Sequence, residues 1–338
     1  MKVAVLAGGT STERDISIIS GKCVYEALRE RGHDAVLLDV FFGLNDQEAE
    51  NAFEAGIPAE DAAERMRSKN KILSQAMASR RSFFGPNVIK LCTEADKVFL
   101  ALHGENGEDG RIQAAFDLMG IAYTGAGHLA SAAAMDKKIT KELFDWRGIS
   151  TPKGGILCKS DEDKSYGQFG LTLPVVVKPC CGGSSVGTAI AHTDQEYEEA
   201  LEDSFRYEDR AIVEAYVKGR EFSVAVVGGE AYPVIEIAPV EGFYDYKNKY
   251  SEGATVETCP ADLPEEKAKE MQTMAVRGAE ALGINEYCRL DFIMDDEGKL
   301  FCLEVNTLPG MTPLSLVPQE AAALGISFPE LCERLLEL

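Results

Sequence analysis

Apolar positions divide the chain into two regimes. Residues 2–7 form a short apolar run closed by Gly8-Gly9, which reads as a buried strand ending in a turn. Ile16, Ile19, Cys23, Val24, Ala27 and Leu28 then recur at helical spacing, and Gly32 supplies a stop. Strand, glycine turn and helix in that order open an α/β unit. Ala35–Val40 and Lys97–Leu102 read as the next strands, with a helix over 111–119. Ile121–Gly127 suggests a further short strand and turn, and one alanine-rich helix then runs through Met135-Asp136-Lys137-Lys138. Residues 43–81 are polar and rich in Ala and Glu, and predict only helical surface or an elaboration of this first unit.

Beyond Thr151-Pro152 the pattern is that of antiparallel strands, at 173–179, 211–217, 222–227 and 230–237, followed by an amphipathic helix over 264–283. The expected fold class is therefore α/β, passing to α+β in the C-terminal half. Two apolar runs flank Asp296-Glu297-Gly298-Lys299 and read as a β-hairpin turning at Glu297-Gly298. A two- or four-residue loop places Asp291 opposite Glu304 and Arg289 opposite Asn306. Directly opposed side chains lie about 4.5–5.5 Å apart at Cβ, and like charges there repel. An Asp facing a Glu wants a cation, and an oxygen-only set of Asp, Glu and Asn suits Mg²⁺. From the hairpin alone, a solvent-facing polar stripe fits equally well.

Several loops carry candidate chemistry. Thr10-Ser11-Thr12-Glu13 matches a capping box, which would make Glu13 a helix cap. A helix N-terminus after a parallel strand is also where open α/β sheets bind ligands, so both roles stay open. His103-Gly-Glu-Asn-Gly-Glu108-Asp109-Gly110 follows a strand directly and is a site candidate. The plainer alternative is that Glu108 and Asp109 favour the next helix N-terminus. Lys178 ends a β-branched strand and is followed by Cys180-Cys181-Gly182-Gly183-Ser184-Ser185-Val186-Gly187. Such a loop can offer successive N–H groups to a phosphate. It is not a Walker A loop, because the Lys precedes the glycines. Residues 243–250, aromatic and basic with few aliphatics, make a poor core strand and a plausible cover.

Composition narrows the partners. The 338 residues suffice for two or three cores, and 45% hydrophobic with 27% charged residues is an ordinary globular balance. A net charge of −22 argues against nucleic acid or an anionic membrane, so an anionic substrate must meet a local cluster of Lys and Arg. No run is apolar enough to span a bilayer, and the N-terminus lacks a signal-peptide pattern. Nine scattered cysteines without zinc-like spacing read as reduced thiols, which places the chain in the cytoplasm.

Eight segments in this order resemble the D-alanine–D-alanine ligases of the ATP-grasp fold: 8–14, 103–110, Met135-Asp136-Lys137, Lys178-Pro179, 183–187, 244–250, Arg289-Leu290-Asp291 and 304–311. The resemblance runs nearly end to end. Residues 43–81 and the Cys180-Cys181 pair depart from it. It implies an N-terminal open α/β, Rossmann-like domain (1–122), a central ATP-grasp subdomain (123–212) and a C-terminal one (213–338), with ATP between the last two. It further implies that ATP converts one D-alanine carboxylate to an acyl phosphate, which the amine of a second D-alanine attacks. Lys137 and Lys178 would hold the α- and β-phosphates, and Gly183, Ser184 and Ser185 would close over the γ-phosphate. Glu214, Val217 and Glu221 would take the adenosine. Asp291, Glu304 and Asn306 would hold two Mg²⁺ ions, with Mn²⁺ a possible substitute. Glu13 would face the first D-alanine's ammonium, linked to Tyr250 through Ser184. Arg289 and the Gly310 N–H would meet the tetrahedral oxyanion. Lys249, Ser315 and Leu316 would receive the second D-alanine, with His103 nearby, and the resemblance implies a homodimer. Variant ligases that join D-alanine to D-serine or D-lactate, and a non-catalytic nucleotide-binding regulator, are the competing readings.

Overall fold

The structure, a computed structural model, describes residues 1–183, 186–239 and 255–338. Strand β1 (Lys2–Ala7) lies between β2 (Asp34–Asp39) and β3 (Lys97–Leu100), and all three are parallel. Helix α1 (Arg14–Glu30) crosses this sheet on a face that keeps Val24, Ala27 and Leu28 of the expected apolar set but buries Ile18 and Gly21 in place of Ile16 and Ile19. Ile18, Gly21, Val24, Tyr25 and Leu28 are buried, whereas Ile19 is 39% exposed. The cause is Gly21, where a Cβ would stand 2.4 Å from that of Ala7, so helix and strand meet at a residue without a side chain.

Residues 43–81 hold short helices: α2 (Asp46–Ala49), α3 (Ala59–Ser68) and α4 (Leu73–Ser79). Of these, α3 buries Ala59, Ala63 and Met66, and α4 buries nothing. The segment is pinned by Arg14. Its guanidinium pairs with Asp39, donates to the Gly9 carbonyl at 2.8 Å, and reaches Asn70 Oδ1 at 2.7 Å and the Met66 carbonyl at 3.2 Å. Asp39 Oδ1 also accepts from the N–H groups of Phe41 and Phe42 at 3.0 and 3.1 Å. Both side chains of the pair are 4% exposed.

After α5 (Val88–Glu94) and α6 (Arg111–Met119), the alanine-rich segment divides into α7 (His128–Met135) and α8 (Lys137–Trp146) instead of running through. Asp136 makes the break. Its backbone leaves the helical region, and its side chain accepts from Lys138 N and Ile139 N, so it caps α8. A second sheet, antiparallel, orders β4 (Gly154–Cys158), β7 (Arg210–Ala215), β5 (Val175–Pro179) and β6 (Ala189–Ala191), with α9 (Asp194–Ser204) packed against it.

The third sheet runs β11 (Thr255–Thr258), β10 (Ile235–Pro239), β8 (Gly219–Val227), β12 (Tyr287–Asp295), β13 (Leu300–Asn306), with β9 (Glu230–Ala231) also on β8. Its Phe222, Val224, Leu290 and Phe292 share a core with α7, α8 and α10 (Glu265–Leu282). By alternation, Glu221, Ser223, Asp291 and Glu304 take the opposite face. Helices α11 (Leu316–Ala323) and α12 (Phe328–Glu337) return to the first sheet, where Leu331 and Leu335 join its core. No helix among the described residues is long and apolar enough to cross a membrane.

Candidate active site

The hairpin is present, and its register near the site is the expected one, with Arg289 opposite Asn306 and Asp291 opposite Glu304. Its turn differs. Asp295 and Lys299 close a three-residue loop, and a bulge between Asp291 and Phe292 leaves Leu303 unpaired. The extra residue in β13 offsets the odd-numbered loop, so register is recovered at the carboxylates. Ser223 of β8 lies beside Asp291 on the same face. Asp291 takes two bonds from Arg289, at 2.8 and 2.7 Å, and a third from Ser223 Oγ at 2.8 Å. A carboxylate offers about four lone-pair positions, so one remains for a further partner.

Between the second and third sheets lies a cavity of about 430 Å³, lined by Lys137, Lys178, Gly183, Val217, Glu221 and Glu304 among others. Lys137 sits at the start of α8, and its Nζ donates to the Gly182 carbonyl at 2.6 Å and stands 3.4 Å from Glu304. Lys178, next to last in β5, pairs with Glu214 at 2.6 Å. Glu214, expected against the adenine, is buried between Lys178 and Lys141, the latter at 2.8 Å. Burial opposes its ionisation, but the two ammonium groups outweigh that and hold its carboxyl below the ordinary range. Burial likewise works against Lys178, yet Glu214 keeps its ammonium pKa raised. Lys141 is a residue that the motifs do not single out. Its spacing of four from Lys137 on one helix was the available signal.

The other end of the site gathers around the first sheet. Glu13 occupies the N-cap position of α1 and is 8% exposed, but its side chain makes no capping bond. The Glu13 N–H instead donates to Ser11 Oγ at 3.2 Å, and Ser11 donates to the His103 carbonyl at 2.7 Å. The carboxylate is thereby turned toward the Gly/Ser loop, with Glu13 Oε2 3.5 Å from where a Cβ of Gly183 would stand. His103 is buried and bridges, Nδ1 donating to the Leu308 carbonyl at 3.0 Å and Nε2 accepting from Ser20 at 3.0 Å. Ser20 also receives the Met311 N–H at 3.4 Å, so His103 and Ser20 fix the 308–311 turn that carries Gly310. Burial lowers the His103 pKa, which keeps the ring neutral for this role. Gly310 packs on Ser315, whose Oγ would stand 3.1 Å from an added Cβ. Ser315 itself accepts the Thr312 N–H at 3.1 Å, and Leu316 is buried with Ile235 and Ile237.

The 103–110 loop divides its acids. Asp109 accepts from Arg111 N at 3.2 Å, the helix-terminus role expected for both, whereas Glu108 turns inward and accepts the Gly104 N–H at 2.9 Å. Burial, reinforced by the Glu13 charge, pushes the Glu108 pKa up to about 8. A carboxyl whose pKa rises on folding favours the folded state less as pH climbs from its ordinary range, about 4.3, toward the folded value. Glu108→Gln keeps the acceptor for Gly104. It should match the parent near pH 4 and become the more stable protein, by about 1–3 kcal/mol, at pH 8. Urea midpoints across pH would read this, and an advantage independent of pH would refute it.

Ser184, Ser185, Lys249 and Tyr250, and with them the expected link from Glu13 to the cover segment, lie outside the described residues. Asn306 is placed by strand register opposite Arg289.

Two sheets closing on a lysine-lined cleft define the ATP-grasp fold. Residues 2–126 match the family model of the D-ala D-ala ligase N-terminus, and residues 154–337 that of the C-terminus. The D-alanine–D-alanine ligase of Pediococcus pentosaceus is 44% identical over 99% of this chain and 96% of its own. The Bacillus anthracis D-alanine–D-alanine ligase complexed with ATP superposes with a TM-score of 0.77 at 28% identity, covering 100% of this chain and 96% of that one. The VanG D-Ala:D-Ser ligase of Enterococcus faecalis gives 0.79 at 29%, covering 100% and 98%. This chain belongs to the D-alanine–D-alanine ligase family.

Proposed function

We propose that the chain joins two D-alanines, with ATP cleaved to ADP, to form D-alanyl-D-alanine for peptidoglycan precursor synthesis. The observation that carries this reading is the cleft, where Lys137, Lys178, Asp291 and Glu304 converge within one cavity lined by Gly182 and Gly183. A free carboxylate does not condense with an amine until its oxygen can leave, and phosphorylation by ATP supplies that leaving group. Phosphoryl transfer demands positioning and charge neutralisation more than covalent participation by the protein.

The residues suit this division of labour. Lys137 and Lys178 would take phosphate oxygens and release Glu304 and Glu214 as they do so; their present pairing with those carboxylates supports this. Asp291, Glu304 and Asn306 are an all-oxygen set on one sheet face and fit a hard divalent ion, Mg²⁺ or Mn²⁺. When bound there, such an ion supplies positive charge to the phosphates. Glu214, Val217 and Glu221 would meet the adenosine, a reading supported by all three lining the same cavity.

Glu13 would orient the first D-alanine through its ammonium, with its carboxylate toward the γ-phosphate. Attack by the neutral amine of the second D-alanine on the acyl phosphate would form the N–C bond and a tetrahedral oxyanion. Arg289 and the Gly310 N–H would stabilise it until it collapses to the amide with loss of inorganic phosphate and the amine proton. Arg289 is held by two bonds to Asp291 and the Gly310 turn by His103, so both donors are set before reaction. Ser184 and Tyr250 belong to the first subsite in this reading, and Lys249, Ser315 and Leu316 to the second. The three units are taken as 1–122, 123–212 and 213–338. Nine free cysteines support a reducing cytoplasm, and a homodimer is expected from family membership.

The test is to incubate the protein with ATP, Mg²⁺ and D-alanine, alone or with D-serine or D-lactate, and to identify products by mass. D-Alanyl-D-alanine should dominate. No phosphate release with D-alanine would end this reading, and preferential capture of D-serine would move the chain to the specificity named for the Enterococcus relative.

A further inference from the structure

We propose that Glu208 and Arg210 are positioning residues for nucleotide binding, strapping the root of the Gly/Ser loop to the helix that carries Lys137. This rests on reading the cleft as the ATP site. Neither residue belongs to the segments that carry the family resemblance, and no role has been given to either above.

The strap is a closed ring of polar contacts. Glu208 Oε2 accepts the Cys181 N–H at 2.7 Å, at the first residue of the loop proper. Its other oxygen accepts from Arg210 Nε at 2.8 Å. Arg210 Nη2 then donates to Asp136 Oδ2 at 2.9 Å, while Asp136 Oδ1 caps α8 through Lys138 N and Ile139 N. From the helix the ring returns to the loop twice, by Lys137 N to the Cys180 carbonyl at 2.9 Å and by Lys137 Nζ to the Gly182 carbonyl at 2.6 Å. The Glu208, Asp136 and Arg210 side chains are 20%, 13% and 34% exposed, so these charge-assisted bonds are largely shielded from water.

The ring has a mechanical meaning. A phosphate held by backbone N–H groups and by an ammonium needs both at fixed separation, and misplacement by about 1 Å can cost on the order of 100-fold. Without the strap, Cys180 and Gly182 would be tied to Lys137 only through their own carbonyls, and the Cys181 N–H would lose its acceptor. The ring also accounts for the unusual Cys181. Arg210 Nη2 passes its Sγ at 3.6 Å on the way to Asp136, a path that a long basic side chain would obstruct and repel. The cysteine here serves by being small and uncharged.

Equilibrium ATP binding without amino acid, and the KM for ATP and for D-alanine, should be measured in Glu208→Ala, Arg210→Ala, the double variant and Glu208→Gln. Both alanine variants should bind ATP about 10-fold more weakly, with KM for D-alanine within about twofold of the parent. The double variant should be no weaker than the worse single, because one ring is broken once. Glu208→Gln keeps an acceptor for the Cys181 N–H but turns an amide NH2 toward the Arg210 guanidinium, so it breaks the same link as Arg210→Ala and should be about as weak, while thermal midpoints stay close to the parent's. Unchanged ATP affinity, parallel losses for ATP and D-alanine, fully additive losses, or a glutamine variant that binds ATP as the parent does would each overturn the strap. A parent that binds ATP but forms no dipeptide would refute the proposed reaction and leave this inference standing.

Discussion

Glu304→Gln should lower dipeptide formation by about a hundred- to a thousandfold, roughly 3–4 kcal/mol in the barrier, while the folded state stays intact. The substitution keeps shape and removes one negative charge where Asp291 and Lys137 also converge. Glu304 faces Asp291 across the hairpin and stands 3.4 Å from Lys137, with its side chain 25% exposed. Its loss as an anion would leave the candidate cation site with a single carboxylate and would free Lys137 from its partner. A partly exposed pair of this kind contributes only about 0–1 kcal/mol to folding, so activity and stability should separate cleanly. The exposed Glu297→Gln in the turn of the same hairpin is the control and should behave as the parent. Coupled ADP release, product mass and a thermal scan measure all of it. Near-normal turnover in a folded Glu304→Gln would remove this residue from the reaction.

That hairpin also shows how far sequence carries. Alternation and a Gly-containing turn sufficed to oppose Asp291 to Glu304, because strand register near a buried face leaves little freedom. The same reading erred on the loop length, since a bulge at Leu303 compensates an odd loop and a bulge has no signature in composition. Of the two roles left open for Glu13, the cap failed for a related reason. A capping box describes local bonding, whereas this residue is set by Ser11, which is itself held by the 103–104 loop, distant in sequence and adjacent in space. Helix α1 keeps Val24, Ala27 and Leu28 inside as expected but buries Ile18 and Gly21 in place of Ile16 and Ile19, because the glycine lets helix and strand approach closely. Glu108 and Lys141 were unremarkable as types in their segments. Only burial distinguishes the first, and only the approach of β7 to α8 gives the second its partner. Motif order thus carried the fold and the cleft, while the contacts between distant segments had to come from the structure.

The largest effect on stability is expected at one of those distant contacts. Asp39→Asn should destabilise the protein by about 3–5 kcal/mol, the usual result of leaving a buried charge without its counter-charge. Arg14 is 4% exposed, cannot shed its proton, and would keep only neutral acceptors at Gly9, Met66 and Asn70. The damage should reach the site as well. The Gly9 carbonyl anchors the turn that leads into Ser11 and Glu13, and Asp39 Oδ1 stands 3.1 Å from where a Cβ of Gly8 would lie. Loosening that turn shifts Glu13 relative to the Gly/Ser loop. D-Alanine binding should therefore weaken before ATP binding does. Arg14→Met combined with Asp39→Leu replaces both charges by apolar groups of similar bulk, and by the same physics should recover much of the stability, because no charge remains buried alone. It should not recover D-alanine binding, since the bond to the Gly9 carbonyl is gone. Chemical denaturation of the single and double variants, with KM for D-alanine and for ATP on each, separates the two consequences. A double variant as unstable as Asp39→Asn would mean that the hydrogen bonds, and not the unpaired charge, dominate this part of the fold.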